Sequence, residues 1–350
     1  VTEAGPSSLR RPEGLASEAG ARRRAVGLLV LLALLLVAVS TSISVGARAI
    51  PPLEVWRVLF SPDGGEASAI VGELRGPRTL LGALVGLALG VAGVLMQSHT
   101  RNPIADPSLL GVSHGAACAV VVSVFALGVT SLSGYVWFAI AGALLSSLVV
   151  FAVASGGARG PTPLTLILAG AAMTALMGGI TSAIVLLDQR SLEVFRFWRI
   201  GSLAGRPDDV LWQVLPFLVA GLVLAVANTP GMNILALGDD VATALGQRVR
   251  LVRATGVLAI ALLTGASVAA VGPIGFVGLM TPHLARSVVG PDHRWLVPYA
   301  ALLGAAIVLF ADVVGRVVAG TGEVEVGVVL AMVGAPVFVV LIRSRRLVAL

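Results

Sequence analysis

The chain contains no lysine: all 24 of its basic residues are arginine. A nucleotide-binding P-loop needs a lysine to reach the β- and γ-phosphates. No ATPase site of that kind is built here, so ATP energy has to come from a separate subunit. Charge is scarce as well, at 12% of 350 residues, about half the 25% of an ordinary soluble domain. With 57% of the chain hydrophobic, no soluble architecture can hide the apolar surface, and an integral membrane protein is expected. The one cysteine, Cys118, lies in an apolar run; it excludes an internal disulfide or a thiolate cluster and reads as packing. Four scattered histidines, His99, His114, His283 and His293, show no metal-ligand spacing. The arginines form no basic stripe with interleaved aromatics, which excludes nucleic acid. No Ser–His, Asp–Asp or metal constellation falls inside the apolar runs, which disfavours an intramembrane enzyme. No catalytic residue, metal or cofactor is therefore expected on this chain.

Long uncharged runs fill the rest. They are helical in length, without the ten-residue alternation of a barrel. A span needs about 20 mostly apolar residues. Single runs lie between Arg24 and Arg48, Arg78 and Arg101, Arg159 and Asp188, Asp209 and Asp239, Arg294 and Asp312, and Glu325 and Arg343. Asp106 to Arg159 encloses 52 residues, enough for two spans with a turn at Gly128 to Gly134. Arg253 to Arg286 is long for one span and short for two, and is broken by VGPIG at 271–275. The total is nine or ten. Arg10, Arg11, Arg22, Arg23 and Arg24 at one end, and Arg343, Arg345 and Arg346 at the other, place both termini in the cytoplasm by the positive-inside rule. Matching termini require ten spans, with the eighth short enough to be tilted or re-entrant. The first run, ending in Ala47-Arg48-Ala49, resembles a secretory signal but exceeds the apolar length of about 7–15 residues such signals use, so it reads as a span. The expected organisation is a cytoplasmic tail at 1–24, a transmembrane domain at 25–346 and a short tail at 347–350. LALGVAGVLMQ (87–97) and SVAAVGPIGFVGLMTPHLAR (267–286) echo one another, and entry of the two halves from opposite sides would make an inverted repeat of two five-helix halves.

Between two of the most apolar segments stands QSHTRNPIADPSLLGVSHGA (97–116). Topology puts Gln97 to Asp106 in a cytoplasmic turn. Pro103 and Pro107 interrupt helix, and each disfavours helix in the residue before it. Asn102 and Asp106 are suited to satisfy the freed backbone groups and cap the next helix.

The block PRTLLGALVGLALGVAGVLMQSHTRNPIADPSLLGVSHGA (77–116) resembles the permease subunits of ABC importers for iron–siderophores, haem and cobalamin, the FecCD type of type II importer. Its Asn-Pro-x-Ala-x-Pro and Leu-Gly-Val elements carry the likeness. It continues at FWRIGSLAGR (197–206), LALGDDVATALGQ (235–247), VGPIGFVGLMTPHLARSVVGPDHR (271–294), ADVVGR (311–316) and EVEVGVVLAMVGAPVF (323–338). One departure is visible: the family has Glu-x-Pro-Val-Gly where this chain has Glu323-Val324-Glu325-Val326-Gly327.

The resemblance implies an all-α membrane permease that performs no chemistry on its substrate. Its implied partners are a second copy or a paralogous permease, two ATP-binding subunits carrying ATP and Mg on the cytoplasmic face, an extracytoplasmic substrate-binding protein, and lipid. A free zinc or manganese permease is a rival, against which the Asn-Pro-x-Ala-x-Pro block speaks. A stand-alone secondary transporter would need acids near mid-membrane, and only Asp312 comes close.

Residue roles follow from the same likeness. It implies docking of the binding protein's carboxylates on Arg75, Arg78 and Arg316; read alone, these are equally helix-end charges snorkelling to the interface. The loop at about 229–250 is amphipathic, with Leu235, Leu237, Ala242 and Leu245 near helical spacing and Gly238 and Gly246 bracketing Asp239-Asp240. The resemblance makes it the helix that seats in the ATPase; the alternative is a helix lying on lipid. It also makes Gln97, Asn102, Pro103, Asp106 and Pro107 part of the mobile inner turn, and Trp198, Gly201 and Ser202 part of an outer gate. Thr174, Met177, Thr181 and Ser182 of the fifth span become pathway candidates. His283 and Arg286 read as packed polar residues, and Asp312 as a partner of Arg316 four residues on.

Overall fold

The computed structural model describes residues 13–46, 48–61, 64–156, 161–319 and 322–343. The expected tail at 347–350 lies outside these residues, as do Arg10, Arg11, Ala47, Arg159, Arg345 and Arg346. Among the described residues there are fourteen α-helices and no strand. They are α1 Glu13–Ser44, α2 Pro52–Phe60, α3 Glu66–Ala69, α4 Gly76–Thr100, α5 Val112–Leu127, α6 Leu132–Ala154, α7 Pro163–Leu187, α8 Gln189–Arg199, α9 Asp208–Leu235, α10 Asp239–Ala244, α11 Val249–Val271, α12 Val277–Val289, α13 His293–Val318 and α14 Val326–Arg343. A π-helical turn, Ile70–Arg75, joins α3 to α4, and a 3-10 turn, Pro107–Leu110, precedes α5. Helix runs through the boundary expected at residue 24, because α1 starts at Glu13.

Ten helices stand where ten spans were expected, and seven of the spans are long and apolar enough to cross a membrane unaided. α5 and α14 are shorter, and α12 has 13 residues. That length covers about 20 Å at 1.5 Å per residue, short of the roughly 30 Å hydrocarbon core. The chain makes up part of the difference with non-helical backbone: 272–276 leads from the end of α11 to α12. The eighth expected span is thus a non-helical segment followed by a short helix. The first half repeats the device, since the turn and 3-10 segment at 101–111 lead from α4 to the short α5. In both halves the residue before the short helix is left-handed, Gly111 at φ 72° and Phe276 at φ 69°.

Small residues decide the packing. α4 carries Gly82, Gly86 and Gly90 four apart, plus Gly93, so one stripe is bare backbone. A Cβ on Gly86 would run into the Gly304 carbonyl of α13, one on Gly90 into the Ala300 carbonyl, and one on Gly93 into the Gly278 carbonyl of α12. Gly115 of α5 and Gly142 of α6 meet in the same way. Close backbone approach replaces the hydrophobic drive that lipid cannot supply. α4 and α11 form the buried centre, with α13, α12, α9 and α6 around them. α7 is the opposite case: only 11% of its most apolar stretch is buried, so it faces lipid or another chain.

Candidate functional site

At the C-terminal end of α4, the polar stretch folds as a self-satisfied turn. Gln97 is fully buried; its amide donates to the Leu279 carbonyl (3.3 Å) and its oxygen accepts from Arg286 (3.3 Å). Arg101 is left-handed at φ 48° and ends α4. The Asn102 side chain accepts from the Ile104 N–H (3.1 Å), and Asp106 from the Ser108 N–H (2.9 Å), capping the 3-10 turn. Burial pushes the Asp106 carboxyl up, against the pull of the Ser108 hydrogen bonds. Pro103 lies within the turn, and Pro107 abuts Gly278 of α12. His283 is buried with its Nδ1 unpartnered, three residues before the buried Arg286.

Beside this turn sits α10. Gly238 (φ 114°) and Gly246 (φ 78°) bracket it in conformations that side chains resist. Leu235 and Ala242 are buried and cluster with Val252, whereas Leu237 and Leu245 are each 63% exposed, with Val241 beside them. The amphipathic stretch is therefore split, two residues anchoring and two presented outward. Asp239, in the first turn, joins α10 to both neighbours. It accepts from Arg101 (2.6 Å) and from Arg253 of α11 (2.8 and 3.1 Å). Arg101 also donates to the Leu235 carbonyl (3.1 Å), and Arg253 to the Pro161 carbonyl (2.6 Å). Local sequence gives no sign of this Arg–Asp–Arg bridge, because Arg101 and Asp239 lie 138 residues apart.

At the N-terminal end of α4, the three arginines are occupied within the chain. Arg75 donates to the Ile43 (2.8 Å), Ser44 (3.0 Å) and Arg48 carbonyls, and Arg316 to those of Ser42 and Val45 (2.8 Å each). They cap the end of α1, whose last carbonyls have no helical partners. Arg78 grips Asp312 through Nε and Nη2 (2.8–3.2 Å) and reaches Glu323 (3.1 Å). Asp312 also pairs with Arg316 at 2.9 Å, as the four-residue spacing suggested. Arg75 and Arg316 are only 8% exposed, so they shape this end of the bundle from beneath instead of standing free on it.

The loop after α8 is knit by backbone. Gly201 (φ 75°) lies against the Pro273 carbonyl and Gly272 against that of Trp198. The Ser202 N–H donates to Val271 (2.8 Å), and the Gly327 N–H to the Gly201 carbonyl (3.0 Å). The Ser202 hydroxyl donates to Glu325, the residue that departs from the family pattern. Trp198 is buried, and the loop joins α8, α11 and α14. Asp188 caps α8 by accepting from the Ser191 N–H (2.7 Å), which holds its carboxyl below the usual range.

Two cavities open near this loop. The smaller, about 430 Å³, lies over the arginine cluster, where Glu73, Asp208 and Glu323 line it beside the cations. The larger, about 1070 Å³, lies between α5, α7, α8 and α14. Ser182 lines the larger cavity, and Thr174, Met177 and Thr181 do not; Thr181 donates to the Met177 carbonyl (2.7 Å). His114, Arg196 and Arg199 line it too, and the sequence reading gave none of the three a pathway role.

Comparison with known proteins agrees with this architecture. The FecCD transport family matches residues 34–344. The ferric enterobactin transport system permease protein of Escherichia coli (strain K12) is 45% identical over 92% of this chain and 96% of its own length. The Fe(3+)-citrate import system permease protein of Bacillus subtilis (strain 168) is 38% identical over 91% of this chain and 94% of its own length. A solved metal-chelate type ABC transporter in an inward-facing conformation superposes with a TM-score of 0.79 at 27% identity, covering 91% of this chain and 99% of that one.

Proposed function

This chain belongs to the FecCD transport family, and from that premise we propose that it is the permease subunit of an ATP-binding-cassette importer that moves a ferric chelate of the siderophore class inward. Two copies, or this chain and a paralogue, enclose the pathway along the exposed faces of α7 and α14. Two ATPase subunits bind on the cytoplasmic side, where both termini lie, and an external binding protein delivers the chelate to the outer rim. ATP binding closes the ATPase pair and moves α10, which switches the pathway between inward and outward access.

The observation that carries this reading is α10. Leu237 and Leu245 flank it at its two ends and are exposed, and the helix between them is fixed to the bundle by Asp239. Exposed leucines on a rigid, ion-paired support suit a cleft in a partner subunit better than lipid, since Asp240 shares the short exposed helix. Through Arg101 the same helix is tied to the inner turn, so a push on α10 reaches Asn102 to Pro107. A secondary transporter is disfavoured on equal footing: Asp312 is held between Arg78 and Arg316 and is not free to exchange a proton or ion.

The test is a pull-down of the tagged chain from native membranes in mild detergent. A stoichiometric ATPase subunit, lost on Leu245→Asp with Gly246→Asp while the permease stays folded, is the expected result. A folded permease that brings no ATPase down in several detergents would remove the energy source and with it the proposal.

A further inference from the structure

The two outer cavities differ in how their charge is balanced. In the smaller, Arg75 and Arg316 are spent on carbonyls and Asp312, and Arg78 on Asp312 and Glu323. No carboxylate lines the larger one, which Arg196, Arg199 and His114 enter. Among the described residues neither arginine forms an ion pair, and both are exposed. They stand three apart on α8, on the face that also carries Leu192 and Phe195. Each guanidinium lies by a ring of the same helix, Arg196 at 5.0 Å from the Phe197 centroid and Arg199 at 5.9 Å from that of Phe195. Such contacts orient a planar cation while leaving its edge for a ligand.

We propose that Arg196 and Arg199 make this cavity a charge filter, admitting ferric chelates of net negative charge in preference to neutral ones of similar size. This rests on the permease reading. Uncompensated cations on apolar walls focus their field into the cavity and raise the local concentration of anions. The volume of about 1070 Å³ sits at the upper end of ordinary ligand pockets, about 300–1,000 Å³, so a bulky chelate has room. The walls belong to α7 and α14, the helices proposed to face the second copy, whose own α8 would double the charge. Planar forks that donate to carboxylate or catecholate oxygens in pairs would then act before any fitted recognition, through the field and not through shape.

The probes are a trianionic ferric tris-catecholate and a neutral ferric trihydroxamate, both labelled with radioactive iron. Their equilibrium binding to the purified permease–ATPase complex in lipid nanodiscs is measured at low and high salt. The wild type should favour the trianion, with a preference that shrinks as salt rises. Arg196→Gln with Arg199→Gln should lower the trianion-to-neutral ratio about tenfold, within the range electrostatic focusing provides. Arg196→Lys with Arg199→Lys, which keeps the charge, should restore most of it. A ratio unchanged in the glutamine variant, or a wild type without preference, overturns the filter and leaves the permease reading intact. A complex that captures its ATPase yet binds neither probe also overturns it, whereas loss of the ATPase in the pull-down strikes the permease reading itself.

Discussion

Removing the Asp239 carboxylate should have two consequences of different size, because the arginines it holds differ in burial. Arg253 has 1% of its side chain exposed, and Arg101 has 41%. Without Asp239, Arg253 retains only the Pro161 carbonyl, since its Nε is already unpartnered. Stranding a buried charge costs about 3–5 kcal/mol. Asp239 is itself 41% exposed, so water screens this side and about 2–3 kcal/mol is expected for that arm. The Arg101 arm is open at both ends and contributes about 0–1 kcal/mol. Equilibrium unfolding of the purified protein in mixed micelles should therefore separate Asp239→Ala, which removes both arms and loses about 2–4 kcal/mol, from Arg101→Ala, losing under about 1 kcal/mol. Adding Arg253→Met to Asp239→Ala should recover most of the loss, because no charge is then left buried. If Asp239→Ala matches the wild type, or the Met variant recovers nothing, Asp239 does not compensate Arg253 and α10 is anchored in some other way.

Two further outcomes concern the packing and the outer ion pairs. Gly86→Val forces a side chain onto the Gly304 carbonyl and should cost about 1–3 kcal/mol or more, seen as loss of monodisperse protein on size exclusion, while Gly179→Ala, with nothing within 4 Å of its new Cβ, should be neutral or slightly stabilising. Asp312→Asn leaves Arg78 and Arg316 facing each other, with side chains 16% and 4% exposed, and should cost about 3–5 kcal/mol in the same unfolding assay; a change below about 1 kcal/mol would show that the α1 carbonyls alone satisfy Arg316.

The spans were legible because charge interrupts them: with so few charged residues, most Arg, Asp and Glu fall in loops or near helix ends, although Arg22 to Arg24 lie inside α1 and Asp312 inside α13. The turn at Gly128 and the irregular eighth span at VGPIG were visible for the same reason, as glycine and proline punctuate apolar runs. The destination of the arginines was not legible. Arg78 finds Asp312 across 234 residues, and Arg316 finds Ser42 across 274; nothing in local spacing tells a docking arginine from one that caps a distant helix. The glycines of LGALVGLALG carried a readable signal in their spacing of four, which marks a close backbone crossing. RFWR at 196–199 held a comparable one, two arginines set among aromatics, but only the fold shows that a cavity opens beside them.

The capping of α1 bears on how the protein is made. The carbonyls at its outer end wait for Arg316, which leaves the ribosome 274 residues after Ser42, roughly 15 to 55 s later at 5–20 residues per second. Until α13 arrives, headgroups and water have to serve that end, and Arg75 alone can hold part of it. A nascent chain arrested before α13 would carry an unlatched first helix, open to extraction or quality-control proteolysis. Full-length chains would resist the same protease, so the latch reports that the ninth span has been inserted.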